Sequence, residues 1–417
     1  MDFSTQLSAA KQASKHLGLL TPKQKNDILK AMAQALADST DKILFHNSID
    51  IEAAKQSKIS PALLDRLTLT KERIKDMVDS IEKLILLPDP IGQEVEKLKP
   101  QEENLSVKKI RVPLGVIAII YEARPNVSVD AASLCLKSGN AVVLKGGSEA
   151  IESNRVLVQI IYEAGIKAGL PEGAICFIDS IDRSAVNELL ALDKFIDLII
   201  PRGSHDLVTF IKKNSLIPVL SHGSGLCHLY IDKSCDLDLA IKIAVNAKCQ
   251  RPGVCNAIET LLVHKDIADK FLPIICNEYL KRGVIIKGDE QVRHTVANSK
   301  IQEAVEEDWA AEYHDLVISI KVVDSLEEAI DHINKYGSQH TDAIVTNDKV
   351  AAEIFVAEVD SAAVMVNVST RLHDGSVFGL GSEIGISTQK LHARGAMGIQ
   401  ELTTTKYIVY GNGNVRK

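Results

Sequence analysis

The chain has 417 residues, of which 46% are hydrophobic and only 4% aromatic, so its core must be built from aliphatic side chains. A formal net charge of −7 with scattered basic residues argues against nucleic-acid binding and against a basic membrane-binding face. The seven cysteines lack the spacing of a disulfide framework, the N-terminus lacks a signal-peptide pattern, and no apolar run could span a bilayer. We therefore expect a soluble cytoplasmic protein of two or three structural units.

The first part of the chain carries helical periodicity up to Pro88-Asp89-Pro90, and the segment 97–112 alternates like a projecting hairpin. Short apolar runs then alternate with helical stretches. Strands are predicted at 116–120, 141–144, 174–178, 195–200 and 217–220, and helices near 129–137, 150–168, 183–192 and 205–213. This alternation predicts parallel strands joined by right-handed crossovers, which is a doubly wound nucleotide-binding architecture.

A second block of alternating strands and helices runs from about Leu226 to about Val368. Its predicted strands are 226–231, 259–263, 317–323, 343–346 and 363–366. The stretch Thr403–Tyr410 is apolar and β-rich, and it predicts a final strand. The fold class that follows is α/β.

Cys255 follows the helix-breaking pair Pro252-Gly253 and precedes the predicted strand Ile258–Val263, so it belongs to a connecting loop. Arg251 lies four residues upstream, and a cation near a thiol favours the nucleophilic thiolate. This segment alone is also compatible with a buried structural cysteine. The choice between the two depends on the other segments of the chain.

Four further segments accompany Cys255 in a fixed order. They are Val112–Val116 running into Glu122–Asn126, Val143–Glu149, Ile200–Ser204 and His392–Gly398. Together with the Cys255 segment they resemble the aldehyde dehydrogenase superfamily and, within it, the family of gamma-glutamyl phosphate reductases of proline biosynthesis. The resemblance covers essentially the whole chain, and it rests on the ordered set because each motif alone is weak.

The resemblance implies an aldehyde dehydrogenase-like fold of three parts. Residues 1–96 and 113–225 would form the doubly wound parallel cofactor-binding domain, and 226–400 the α/β catalytic domain. Residues 97–112 and 401–417 would form a small β oligomerisation flap, which in this superfamily pairs with a neighbouring subunit. The implied partners are therefore a small-molecule substrate and further copies of the chain, with functional coupling to glutamate 5-kinase and neither nucleic acid nor membrane.

The cofactor that the resemblance implies is NADPH. Its implied contacts are Lys145, Gly146, Ser148, Gly203, Ser204 and Glu312. Lys145 would hold the adenosine ribose or its 2′-phosphate, and Ser204 would open a helix whose N-terminal amides face the pyrophosphate. Glu312 would hydrogen-bond the nicotinamide ribose. The structural alternatives are an ordinary strand-to-helix turn at Lys145, a plain N-cap at Ser204 and a solvated carboxylate at Glu312.

For catalysis the resemblance implies that Cys255 is the nucleophile and that Asn126 forms the oxyanion hole with the backbone N–H of Cys255. Arg371 would bind the substrate α-carboxylate, and Arg124 or Arg251 the phosphate. Surface arginines and a turn asparagine are the alternatives. The expected reaction is the NADPH-dependent reduction of L-glutamyl 5-phosphate to L-glutamate 5-semialdehyde and phosphate through a cysteine thioester.

One departure from the superfamily supports an acyl-phosphate substrate. Hydrolytic aldehyde dehydrogenases carry a glutamate general base before the cysteine, whereas this chain has Leu-Ser-His-Gly-Ser-Gly at 220–225 without a carboxylate. His222 in this segment is expected either to contact phosphate or substrate or to be a hydrogen-bonded loop histidine. A reductase for another acyl phosphate or acyl-CoA, and a catalytically silent protein of this fold, remain alternatives.

A zinc site is the competing interpretation of His222, Cys227, His228 and Cys235. Cys227 and His228 are adjacent on a predicted strand, so their side chains should point to opposite faces. Such ligands do not easily complete a tetrahedral site, and we predict no metal.

Overall fold

In this computed structural model the chain forms two compact units. The first comprises Met1–Ser221, Gly379–Gly385 and Met397–Lys417, and the second His222–Phe378 and Ile386–Ala396. The residues that the structure describes are 3–57, 59–100, 102–182, 184–221 and 223–416. Across these ranges, no helix combines the length and the hydropathy that crossing a membrane requires.

The helices of the first unit pack on its parallel sheet or on one another. They are α1 Ser4–Leu17, α2 Pro22–Asp38, α3 Thr40–Gln56, α4 Pro61–Leu67, α5 Lys71–Leu86, α6 Asn126–Lys137, α7 Ile151–Lys167, α8 Ser184–Leu190 and α9 His205–Asn214. Local sequence explains several helix starts: Thr21 and Gln24 form a capping box before α2, with Pro22 at its first position. The helices predicted near 129–137, 150–168, 183–192 and 205–213 are confirmed, and α6 begins three residues earlier than predicted.

The strands of the first unit that precede its C-terminal strand are β1 Glu94–Leu98, β2 Ser106–Pro113, β3 Val116–Tyr121, β4 Ala141–Gly146, β5 Ile175–Phe177 and β6 Leu198–Arg202. Four of them form a parallel sheet with the order β5-β4-β3-β6. The predicted strand at 217–220 is wrong as a strand, since only an isolated bridge joins Val219 to Ile199. Pro218 has no N–H to donate and interrupts the ladder.

A separate antiparallel sheet joins β1, β2 and the C-terminal strand Thr403–Tyr410, with β2 in the middle. Thr403 pairs with Pro113 and Tyr410 with Ser106, so the C-terminal strand covers the whole length of β2. The predicted hairpin at 97–112 is confirmed, although its first strand begins at Glu94. The residues expected to form an oligomerisation flap thus share one sheet.

The strands of the second unit are β7 Cys227–Ile231, β8 Ile258–His264, β9 Ile285–Gly288, β10 Gln302–Glu303, β11 Val317–Val323, β12 Thr341–Val345, β13 Ala363–Val366, β14 Ile386–Ser387 and β15 Gly395–Ala396. The first seven of these form a parallel sheet with the order β10-β9-β11-β8-β7-β12-β13. The helices are α10 Leu237–Cys249, α11 Lys265–Lys281, α12 Glu290–Val296, α13 Leu326–Tyr336 and α14 Lys349–Glu358.

Helices cover both faces of this second sheet. On one face Leu229 and Leu261 pack with Phe271 of α11, and on the other Tyr230 packs with Ile330 and Phe355. All of these side chains are buried, as expected of a parallel sheet with two covered faces. The α/β class is confirmed.

Candidate active site

The predicted cofactor residues of the first unit lie at the carboxyl ends of β4 and β6, the two strands that flank β3. Tyr121 at the end of β3 is paired with Gly146 at the end of β4 and with Arg202 at the end of β6. The chain winds from β3 outward to β5 and then returns to place β6 on the other side of β3. Open parallel sheets bind ligands at the carboxyl ends of their strands where the winding direction reverses.

At the end of β4, Lys145 is only 5% exposed, and its Nζ donates to the carbonyl of Gly146 at 2.7 Å. Burial lowers the pKa of Lys145, and the nearby charge of Glu149 opposes that shift. A Cβ on Gly146 would lie 2.1 Å from Asn154 Nδ2, an amide group that has no hydrogen-bond partner within the described residues. Ser148 is exposed in the turn that follows.

At the end of β6, Ser204 caps α9 by accepting a hydrogen bond from the N–H of Leu207. The N–H of Ser204 donates to a carboxylate oxygen of Glu122 at 2.6 Å. A Cβ on Gly203 would lie 2.4 Å from the same oxygen, so glycine is required beside this contact. Glu122 lies in one of the motif segments, but the sequence indicates no role for it, because this contact depends on the pairing of β3 with β6.

These features fit a nicotinamide dinucleotide, which carries a pyrophosphate. A helix N-terminus, a buried cation and a glycine at a close approach all lie at the carboxyl end of one sheet. The residues that would hold the cofactor are Lys145, Gly146, Ser148, Gly203 and Ser204. Because Glu122 already accepts from Ser204, a bound pyrophosphate must use other amides of the turn or displace this carboxylate.

The turn after β3 places Ala123 at φ 42°, a left-handed conformation that side-chain-bearing residues seldom adopt. Asn126 begins α6, and its Nδ2 donates to Asp130 Oδ2 at 2.9 Å. Burial raises the pKa of Asp130 to about 6, partly offset by the hydrogen bond from Asn126 and the charge of Arg202. Arg124 is half-buried in this turn. The oxyanion role of Asn126 and the phosphate role of Arg124 stay predictions.

The second unit presents Cys255 in a loop directly before β8, as the sequence predicted. The cysteine is half-buried and is a free thiol. Gly225, which precedes β7, packs so closely on it that a Cβ there would lie 2.4 to 2.6 Å from the carbonyl oxygen, Cα and Cβ of Cys255. Gly225 is the last residue of the segment 220–225, which has no carboxylate side chain, so this segment ends in direct contact with the cysteine.

The carboxylate of Glu312 accepts a hydrogen bond from the N–H of Gly225 at 2.7 Å. His314 Nε2 lies 3.3 Å from the same carboxylate. Glu312 thus holds the backbone that packs against Cys255. Its predicted contact with the nicotinamide ribose stays a prediction.

Arg371 lies next to the cysteine loop. Its Nε donates to Gln250 Oε1 at 2.9 Å, and a terminal nitrogen donates to Asn256 Oδ1. Burial lowers the pKa of Arg371, and the charge of Cys255 opposes that shift, so cation and cysteine are within electrostatic reach. Arg251 is exposed. His222 lies outside the described residues, and the substrate roles of all three stay predictions.

Two of the residues considered for zinc, Cys227 and His228, have other partners. His228 Nδ1 lies 3.0 Å from Asp342 Oδ1, and Cys227 Sγ donates to the carbonyl oxygen of Cys255 at 3.1 Å. Throughout the part of the chain that the structure describes, no group of three His, Cys, Asp or Glu side chains could hold a metal ion. Sequence reasoning missed the contact of Cys227 with the cysteine loop, since only the fold brings the two together.

Comparison with known proteins agrees with this architecture. The sequence profile of the Aldehyde dehydrogenase family matches residues 1–311. The chain is 52% identical over 409 residues to the gamma-glutamyl phosphate reductase of Clostridium novyi, covering 98% of this chain and 97% of that protein. It is 50% identical over 417 residues to that of Moorella thermoacetica, covering 100% and 99%.

Among solved structures, the gamma-glutamyl phosphate reductase of Thermotoga maritima superposes with a TM-score of 0.95 at 44% identity and covers 100% of both chains. The chain therefore belongs to the aldehyde dehydrogenase family and, within it, to the gamma-glutamyl phosphate reductases.

Proposed function

We propose that the chain reduces L-glutamyl 5-phosphate to L-glutamate 5-semialdehyde and inorganic phosphate, in proline biosynthesis. The cofactor of the family is a nicotinamide dinucleotide, and we propose NADPH as the form used. Lys145 supports this choice, because a buried cation at the end of β4 suits the 2′-phosphate that NADH lacks. The carboxylate of Glu149 interacts with Lys145 and would repel a 2′-phosphate, so Lys145 is the residue to test.

In the proposed mechanism the thiolate of Cys255 attacks the acyl carbon, the carbon–oxygen bond to phosphate breaks, and a thioester forms on the sulfur. Arg124, Arg251 or Arg371 would bind the phosphate or the α-carboxylate of the substrate. A reduced nicotinamide dinucleotide, when bound, would supply the hydride that reduces the thioester carbon. The resulting hemithioacetal on Cys255 then collapses to the semialdehyde, and the thiolate is regenerated.

One observation carries the choice of an acyl phosphate over a free acid. The segment 220–225, whose last residue packs directly on Cys255, has no carboxylate side chain. A thioester beside this segment therefore lacks the general base that hydrolytic relatives place there. Phosphate needs no such base, since it is a fair nucleophile in its own right.

The test is a coupled assay in the oxidative direction with glutamate 5-semialdehyde and NADP. We expect reduction of NADP with phosphate as the acyl acceptor and little with coenzyme A. A preference for coenzyme A, or for a different semialdehyde in a panel of such substrates, would contradict the proposal. A chain that neither binds cofactor nor reacts at Cys255 would instead be a silent member of the fold.

We further propose a cytoplasmic homo-oligomer. Support comes from the three-stranded sheet, whose C-terminal strand leaves Tyr407, Val409 and Tyr410 exposed at an edge. Functional coupling to glutamate 5-kinase is proposed because an acyl phosphate is reactive and must be supplied by a kinase. Light scattering on the purified chain, alone and with that kinase, tests both associations.

A further inference from the structure

The peptide bond between Cys255 and Asn256 is held by buried side chains that the proposed mechanism does not use. Cys227 is fully buried, and its Sγ donates to the carbonyl oxygen of Cys255 at 3.1 Å. Burial raises the pKa of Cys227 well above its usual range. The thiol therefore keeps its proton and remains a hydrogen-bond donor.

A second set of contacts continues from Cys227. Its Sγ lies 3.6 Å from His340 Nδ1, which lies 2.7 Å from the hydroxyl of Thr341. The same hydroxyl lies 2.7 Å from His373 Nδ1. Burial, and then the neighbouring His340, lower the pKa of His373 to about 4, so its ring is neutral near pH 7. In one consistent proton arrangement the Nδ1–H of His340 is shared between Thr341 Oγ1 and Cys227 Sγ, and the hydroxyl of Thr341 donates to His373.

Asn256 closes this chain of contacts. Its Nδ2 donates to the main-chain carbonyl of His373 at 3.0 Å, and its Oδ1 accepts from Arg371. Asn256 is 5% exposed, and His373 and Thr341 are 1% and 0% exposed. A continuous series of contacts therefore links the carbonyl of Cys255 to the side chain of Asn256, the next residue. The four residues between them are Cys227, His340, Thr341 and His373.

We propose that this ring, formed by Cys227, His340, Thr341, His373 and Asn256, positions the nucleophile Cys255. The inference rests on the proposed function, in which Cys255 attacks the substrate. The ring residues are positioning residues, because they act through the Cys255–Asn256 peptide and contact no reacting atom. Fixing that peptide fixes the direction of the Cα–Cβ bond, and a misplacement of about 1 Å can cost about 100-fold in rate.

The first arm of the test compares Cys227→Ala, Cys227→Ser and Cys276→Ala. Cys276 is an equally buried cysteine that packs in the hydrophobic core from α11, so it controls for the loss of a buried sulfur. We expect Cys227→Ala to lower kcat by about 10- to 100-fold with little change in KM. Cys227→Ser keeps a donor and should recover most of the lost kcat, and Cys276→Ala should retain wild-type kcat.

The second arm compares Thr341→Val with Thr260→Val. Thr260 is a buried threonine of β8 whose hydroxyl has no hydrogen-bond partner within the described residues. Thr341→Val should lower kcat because it breaks the ring, whereas Thr260→Val should not. The rate at which iodoacetamide labels Cys255, measured by mass spectrometry of its peptide, should rank the variants in the same order as their kcat values.

Several outcomes would overturn the inference. They are equal kcat in Cys227→Ala and Cys276→Ala, no recovery in Cys227→Ser despite a wild-type thermal unfolding curve, and equal kcat in the two threonine variants. A failure of the proposed function is distinguishable, because it would appear as full turnover in Cys255→Ala. Loss of turnover in that variant, with unchanged kcat in all ring variants, would contradict the positioning ring alone.

Discussion

The two units present their predicted site residues at opposite ends of their own sheets. In the first unit Lys145 and Gly146 are the last residues of β4, and Ser204 follows the carboxyl end of β6. In the second unit Cys255 precedes β8, its neighbour Gly225 precedes β7, and Thr341 of the positioning ring begins β12. The same kind of parallel sheet therefore serves two purposes in one chain.

The difference follows from what each end of a sheet offers. Carboxyl ends lead into helix N-termini, whose free N–H groups favour an anionic ligand. Amino ends offer no such general feature, so a nucleophile there must be held by particular side chains. Cys227 and Asn256 make such contacts at the Cys255–Asn256 peptide. A site at the carboxyl ends of strands is therefore predictable from topology. A site at the amino ends depends on contacts between residues far apart in the sequence.

The largest expected effect in the second unit is that of Cys255→Ala. Turnover should be abolished while NADPH binding is nearly unchanged, because the thiol forms the thioester but holds no cofactor. Single-turnover assays and cofactor titration measure both. Cys249→Ala, at the end of α10, is the control and should lose little activity. Wild-type turnover without the Cys255 thiol would remove the basis for the nucleophile assignment.

A smaller but still large effect is expected for Gly225→Ala. Its Cβ would fall within 2.6 Å of three atoms of Cys255, so the cysteine loop must shift, and we expect kcat to fall by about 100-fold. Gly223→Ala is the matched control, because its Cβ would lie an ordinary 3.5 Å from Thr388 Oγ1. Comparable kcat values in the two variants would show that packing at Gly225 does not position the cysteine.

In the first unit, Lys145→Ala should raise KM for NADPH by about tenfold and KM for NADH much less. The lost contact with the 2′-phosphate affects only NADPH, and about 1.4 kcal/mol corresponds to tenfold. Steady-state kinetics with both cofactors measure the difference. Lys212→Ala, an exposed lysine of α9, should change neither KM. Equal increases for the two cofactors would mean that Lys145 does not recognise the 2′-phosphate.

The smallest effect concerns Asp130, whose pKa is raised by burial from 3.8 to about 6. The folded state binds this proton more tightly than the unfolded state, so wild-type stability falls as the pH rises through that interval. Asp130→Asn has no such titration. The difference in Tm, Asp130→Asn minus wild type, should therefore increase by a few degrees as the pH is raised from about 4 to about 7. A Tm difference independent of pH would contradict the assigned shift.

Sequence reasoning predicted the alternating strands, the hairpin and the C-terminal strand because hydrophobic periodicity is local. It predicted a strand at 217–220, where Pro218 interrupts the ladder, and it missed the short strand β9. The loop position of Cys255 followed from local signals in the same way. The contacts of Glu122 with Ser204 and of Cys227 with Cys255 could not be predicted, since each depends on how distant strands pair.

The most direct test of the central claim is the phosphate dependence of the oxidative reaction. Without phosphate, oxidation of glutamate 5-semialdehyde should give a burst of about one NADPH per subunit and then nearly stop, because a thioester remains on Cys255. Phosphate, or arsenate in its place, should restore steady turnover. Sustained production of glutamate and NADPH without phosphate, at a rate matching the phosphate-driven one, would contradict the account. It would direct attention to Glu312, whose carboxylate lies on Gly225 beside the cysteine.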